Sequence, residues 1–287
     1  MKSLVTIQNQ TDTHWVGDGF PVRTIFSYQS LGESISPFLL LDYAGPARFE
    51  PSDKPRGVEE HPHRGFETVT IVYQGRLDHR DSAGNHGTIG PGDVQWMTAA
   101  SGVVHEEFHS REFSRTGGVF EVIQLWVNLP AKFKMSAPKY QTLVDRDIPS
   151  VTLSDKGGTV RVIAGQFQGS KGPARTCTPI DLWDLRLARG ARADLTLPEG
   201  HNTALLVISG SLRLNRSKVA IDAELALFDR TGSDIAVEAQ SNTTALVLSG
   251  MPINEPIVGR GPFVMNTEEE IRQAILDYQS GRLGTLS

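Results

Sequence analysis

One cysteine, Cys177, stands in 287 residues, and a lone thiol can close neither an internal disulfide framework nor a cysteine-built zinc site. Long apolar runs are missing too: nothing approaches the roughly 18 to 20 residues that a membrane-spanning helix needs. The opening MKSLVTIQNQTDTHWVGDG turns polar before it can supply the apolar stretch of a secretion signal. Basic charge is scarce. Lysine and arginine total 28 against 33 acidic residues, a net charge of -5, whereas a general nucleic-acid binder carries a basic stripe. No run of five or more basic residues marks a nuclear-localisation cluster. These absences, with apolar and charged fractions of globular kind, predict a soluble intracellular protein, placed in the cytoplasm.

What is present is a series of short apolar runs divided by glycine, proline and polar turns: PFLLLDYAG, ETVTIVYQG, DVQWMTAASG and VIQLWVNLP. Their length and their β-branched and aromatic content predict strands, and many closely spaced strands predict a sandwich or barrel. A helix is predicted only near the C-terminus. There Thr267 and Glu270 form a capping box, and Ile271, Ala274, Ile275 and Tyr278 share one face. Gly281 sits where that helix would stop. The chain also resembles itself. TIVYQGRLDH reads like LLVISGSLRL, GPGDVQWM like AELALFD, and VIQLWVNLP like ALVLSGMPI. Two copies of one β-module follow, expected at 1–132 and 149–287, with the proline-punctuated stretch 133–148 as linker.

Histidine is sparse, yet six of the eight lie between 61 and 109. In a strand, alternate side chains share a face, so His61 and His63 point one way with Pro62 opposite. Glu67 shares their parity, and His105 shares a face with Glu107 while Glu106 turns away. Imidazole and carboxylate together suit a first-row divalent ion: iron, manganese, nickel, copper or zinc. Three imidazoles and one carboxylate would leave positions open for a reacting molecule. His14, His79, His86 and His109 are read as surface or hydrogen-bonded histidines, and Glu106 as solvated. Phe66, Trp96, Met97 and Val104 are read as core. Phe66 and Arg64 are expected to face away from the ligand side, Arg64 toward a neighbouring strand's carboxylates or solvent. Cys177 is read as a small core residue. The second module offers only His201, so chemistry is assigned to the first.

The spacing HxHxxxE followed by a later GxxH resembles the cupin superfamily, small β-barrels with a metal in the mouth. The gap from Glu67 to Gly75 is one residue longer than the general pattern, and His109 stands where asparagine is common. Those departures, with HPHRGFETVTIVYQG, DSAGNHGTIGPGDVQWMTAASGVVHEE, QLWVNLP and EPIVGRGPFVMNTEEEIRQAILDY, resemble the pirin family from near residue 15 to the C-terminal helix. That resemblance implies an all-β bicupin, two face-packed β-sandwich barrels with a C-terminal helix. It implies one metal ion, usually iron, in the N-terminal barrel, held by His61, His63, His105 and Glu107. Glu67 then falls outside the ligand set, beside it. Ala100 and Ser101, in the loop before His105, differ from the family's commoner residues.

Some bacterial relatives in that family act as quercetin 2,3-dioxygenases, which open a flavonol ring with dioxygen and release carbon monoxide. The resemblance therefore implies a flavonol-like substrate, with Glu107 as the base that takes the 3-hydroxyl proton. Eukaryotic members act instead as iron-dependent co-regulators, which would use the same ligands to shape a surface for a protein partner. A metal-free metabolite binder is the third reading.

Overall fold

The computed structural model describes residues 1–153 and 157–286. Two compact units emerge, and neither is continuous in sequence. The histidine-bearing unit comprises Asp12–Gly32, Phe38–Asp145 and Ile253–Ser287; the other comprises Met1–Thr11, Glu33–Pro37 and Arg146–Pro252. Both are built from a seven-stranded sheet and a four-stranded sheet, with antiparallel pairing throughout.

In the histidine-bearing unit the large sheet runs Lys139–Leu143, Val94–Thr98, Phe66–Gln74, Gly118–Asn128, Phe38–Phe49, Phe20–Ser27, His14–Val16. The small sheet runs Gly57–His63, Val103–His109, Leu77–Asp81, His86–Ile89. Val22, Ala44, Val72 and Val122 from the first meet Leu77 and Ile89 from the second in one core with Phe120. Alternation explains this: each strand turns every second side chain inward, and removing those groups from water is the main favourable term.

The other unit repeats the plan. Its large sheet runs Leu4–Asn9, Glu224–Phe228, Asn202–Ser209, Thr243–Gly250, Ile180–Leu187, Gly158–Ala164, Ser150–Thr152. The internal similarities read from sequence fall on equivalent sheet positions: Phe66–Gln74 with Asn202–Ser209, Val94–Thr98 with Glu224–Phe228, Gly118–Asn128 with Thr243–Gly250. The glycine in each leading copy turns the chain with positive φ, 88° at Gly75 and 92° at Gly210. A Cβ on Gly75 would come within 2.6 Å of the Phe120 ring.

The contiguous division at 132–148 does not describe these units. Lys139–Leu143, expected in a linker, is an edge strand on Val94–Thr98. The equivalent edge of the other sheet is filled by Leu4–Asn9, which pairs with Glu224–Phe228. An open edge presents unpaired N–H and C=O groups, so each sheet takes whichever segment can cover it. The C-terminal helix, Glu268–Gln279, is capped by Thr267 and Glu270 as expected. Ile271 and Ala274 pack with Val104, Phe263, Met265 and Leu283, so this helix belongs to the histidine-bearing unit. Tyr278, expected on the buried face, is 41% exposed, and Asp277 takes the buried place beside Ala274.

Candidate metal centre

The strand Gly57–His63 carries one extra residue against its partner: His105 opposes His61, but Glu107 opposes Val58. Such a bulge re-aims side chains. Here it also frees the Glu59 carbonyl, which accepts a hydrogen bond from His61 Nδ1 at 2.8 Å. His63 Nδ1 lies 3.4 Å from the Pro262 carbonyl. One ring nitrogen from each of His61, His63 and His105 lies within 4.8 Å of the others, and the His61 and His105 ring centroids are 4.2 Å apart.

His105 is oriented by a longer chain of contacts. Tyr140 O–H donates to Gln95 Oε1 at 3.2 Å, leaving Gln95 Nε2 to donate to His79 Nδ1, also at 3.2 Å. His79 Nε2 then faces Asp81 Oδ2 at 3.4 Å. His105 Nδ1, 3.4 Å from His79 Nδ1, therefore carries the proton, and its Nε2 carries a lone pair. The Nε2 atoms of His63 and His105 are buried without a hydrogen-bond partner. Burial first, and then the neighbouring imidazoles, hold both rings far below the usual histidine range. They are neutral, the form that binds a metal. An unpaired buried ring nitrogen costs about 1–3 kcal/mol, and two in one histidine cluster fit a site that a cation would stabilise. The donor set suits a first-row divalent ion.

Glu107 enters from the same strand as His105, buried at 3% exposure. It forms an adjoining trio with His105 and His79. Its Oε1 accepts from Thr70 Oγ1 at 3.3 Å and Gln95 Nε2 at 3.2 Å, and its Oε2 accepts from Gln124 Nε2 at 2.8 Å. The donors come from one row across the large sheet. Thr24 opposes Asp42, Asp42 opposes Gln124, Gln124 opposes Thr70, and Thr70 opposes Gln95. A cavity of about 40 Å³ lies against this row, lined by Asp42, Thr70, Gln124, His61 and Glu107 and closed by Val22, Ala44 and Val122.

Several expectations are corrected. Glu67 does not share the histidines' face. The chain leaves the small sheet at Arg64–Gly65, where Gly65 has φ 90°, and re-enters on the large one, so parity does not carry across. Thr70 faces Glu107; Glu67, of opposite parity, turns to the other side of the sheet and accepts from Thr98 Oγ1 at 2.6 Å. Burial pushes its carboxyl up to about 7. Phe66, by the same turn, contacts His63 edge-on with centroids 5.1 Å apart. Arg64 meets neither solvent nor a strand carboxylate. It is buried, with Nη1 2.8 Å from Asp277 Oδ2 on the C-terminal helix and Nε 2.6 Å from the Ser101 carbonyl. Cys177 is half-buried rather than core.

Trp96, Met97 and Val104 are buried as expected, and Glu106 pairs with Arg80. His14 and His86 are exposed. His109 is buried and donates to the Gly19 carbonyl at 3.0 Å, whereas His79 belongs to the site. Sequence reasoning missed Lys134, whose buried Nζ binds the Gly65 and Val264 carbonyls at 2.7 and 2.9 Å and Asn128 Oδ1 at 2.6 Å. It pins the turn after His63. An apolar-flanked lysine is ordinary on a surface, and no local signal marked this one.

In the other unit the strands equivalent to the ligand strands are Arg192–Thr196 and Asp234–Ala239. They turn Ala193, Leu195, Ile235 and Val237 inward onto Leu205 and Leu214 in an apolar core, and among the described residues no metal-ligand cluster lies in this unit.

Residues 19–127 match the Pirin family, and residues 182–284 match the pirin C-terminal cupin domain. The chain belongs to the pirin family. A Pseudomonas aeruginosa relative named, provisionally, as a quercetin 2,3-dioxygenase is 55% identical over 98% of both chains. A pirin-like protein of Solanum lycopersicum is 39% identical over 99% of this chain and 91% of its own. Among solved structures, a quercetin 2,3-dioxygenase from Acinetobacter baumannii superposes with TM-score 0.97 at 49% identity, covering all of both chains. In pirin-family terms, both units are cupin-type domains, and the histidines cluster in the domain matched at 19–127.

Proposed function

We propose that this pirin-family chain is a metal-dependent dioxygenase of the quercetin 2,3-dioxygenase type, which opens a flavonol ring with dioxygen. His61, His63, His105 and Glu107 would hold one divalent ion, with Fe(II) as the expected metal. The observation that carries this reading is the pair of buried, partnerless Nε2 atoms on His63 and His105, convergent with His61. The names of the Pseudomonas and Acinetobacter relatives support the reaction class. A bound ion supplies a Lewis acid with open positions for the substrate oxygen and dioxygen.

The protein's own groups do the rest. Glu59, Pro262 and His79 hold the outer nitrogens, so the three imidazoles are oriented before anything binds. Val22, Ala44 and Val122 keep one side of the cavity apolar. At about 40 Å³ the cavity takes a hydroxyl group or dioxygen; small-molecule pockets run to about 300–1,000 Å³. The flavonol's rings therefore lie across the mouth, with only the reacting edge inside. We read Glu107 as a ligand rather than as the base expected for it, since three side-chain donors already engage its oxygens.

The test loads the protein with Fe(II), adds quercetin under air and follows loss of its visible absorbance beside a His61→Ala control. Turnover no greater than the control's rejects the dioxygenase reading. Metal content of His63→Ala and Glu107→Ala tests the ligand set separately, and retention of metal in either removes that residue from it.

A further inference from the structure

Proton transfer from the substrate needs an acceptor with a free lone pair, and the cavity offers a second carboxylate. Asp42 lies in the middle of Phe38–Phe49, on the inward face of the large sheet, and lines the same small cavity as His61 and Glu107. Its neighbours on the row are Thr24 and Gln124. Thr24 Oγ1 donates to Oδ1 at 2.6 Å, which fixes the carboxylate's plane. Glu107, by contrast, accepts three side-chain donors and is also a candidate ligand.

We propose that Asp42 is the general base of this site, a catalytic residue that removes the proton from the substrate hydroxyl presented at the metal centre. The proposal rests on the dioxygenase reading and deepens it. The substrate O–H bond breaks, its electron pair stays on the oxygen, and the proton forms an O–H bond on the Asp42 carboxylate; the ring-opened product leaves as its carboxylate, and Asp42 then gives the proton to water.

Burial raises the Asp42 carboxyl above the usual carboxylate range, while Thr24 and, more weakly, the imidazole of His14 oppose that rise. A better base results. The groups facing it are few: His14 from the edge strand beside Phe20–Ser27, and His61 and Glu107 across the cavity, while the flanking strands present the uncharged Thr24 and Gln124. Gln124 also ties the row to Glu107, so the two carboxylates share one scaffold with separate tasks.

The experiment compares wild-type and Asp42→Asn protein after Fe(II) loading. Quercetin is added first without oxygen, to read the red shift of the deprotonated flavonol, and then with air. Asp42→Asn is expected to keep its metal and lose the red shift near neutral pH, regaining it at higher pH, with kcat/KM down about 100-fold or more. Thr24→Val removes the bond that steadies the charge, so the acidic limb of kcat/KM should move to higher pH. A red shift and rate equal to wild type in Asp42→Asn, or an unmoved limb in Thr24→Val, overturns the assignment of Asp42 while leaving the dioxygenase reading intact. Wild-type protein that neither shifts nor consumes quercetin removes both.

Discussion

Replacing Asp277 by alanine should destabilise the histidine-bearing unit and loosen its candidate metal centre together. Asp277 is the helix carboxylate that neutralises Arg64, at 2.8 Å, with side chains 13% and 4% exposed. Removing one partner of a buried pair costs about 3–5 kcal/mol, because the other charge stays buried and uncompensated. Arg64 keeps its bond to the Ser101 carbonyl, which places the expectation near the lower end, about 3 kcal/mol. At about 2–4 °C per kcal/mol for a chain of this class, thermal unfolding should fall by about 6–12 °C. Arg64→Met combined with Asp277→Leu should recover most of the loss, since an apolar pair removes both charges.

The pair also has a pH signature. Burial raises the Asp277 carboxyl, but hydrogen bonds from Arg64, Gln273 and Arg282 outweigh it and hold it at about 2. A depressed carboxyl contributes stability above its unfolded value near about 3.9, lost as pH falls toward 2. The wild-type margin over Asp277→Ala should therefore be full at pH 5 and shrink below 4. Arg64 follows His63 directly and ties down Ser101, so the same substitution should weaken Fe(II) binding by about 10-fold. Thermal denaturation and metal titration read the two effects. A change under about 1 kcal/mol, or a margin unchanged between pH 5 and 3, would refute the reasoning.

Three further outcomes follow from groups other than the four ligand candidates. His79→Ala removes the acceptor that orients His105, and Asp81→Asn removes the carboxylate that faces His79 Nε2; each should weaken metal binding by about 10–100-fold, read by equilibrium dialysis. Glu67, raised to about 7 by burial, holds a proton in the folded chain that the unfolded chain releases between about 4.5 and 7. Its contribution therefore declines as pH rises through that window, and Glu67→Gln should raise the melting temperature at pH 8 while leaving it unchanged at pH 4.5. Burial lowers Lys134 to about 7, below its unfolded value near about 10.4. The unfolded chain then binds more protons between 7 and 10, so stability rises there. The wild-type advantage over Lys134→Met should grow across that range in parallel melts.

The sequence made the two-module plan legible because the repeats fall on strands whose alternation is local. The pairings His61 with His63 and His105 with Glu107 were legible for the same reason, since each lies within one strand; the three histidines converge, and Glu107 forms a trio with His79 and His105. Glu67 and Phe66 were misread because Gly65 moves the chain from one sheet to the other, and parity counts only inside an unbroken strand. Arg64, Lys134, His79 and Asp42 were missed as partners. Each has a partner far along the chain, 18 residues away for Asp42 with Thr24, 26 for His79 with His105, 130 for Lys134 with Val264 and 213 for Arg64 with Asp277, and no periodicity encodes a contact made by folding two distant segments together. The mistaken linker has a similar origin, since Lys139–Leu143 is polar at the sheet's edge, where a strand and a loop look alike.

The crossing of the chain ends has a consequence for synthesis. Pro262, which faces His63, and Asp277, which neutralises Arg64, leave the ribosome some two hundred positions after the groups they hold. A nascent chain cannot finish its histidine-bearing unit before they do. The candidate cation site is braced only once those positions have emerged, so termination before them yields a polypeptide with all four candidate ligands and without the contacts to Pro262 and Asp277.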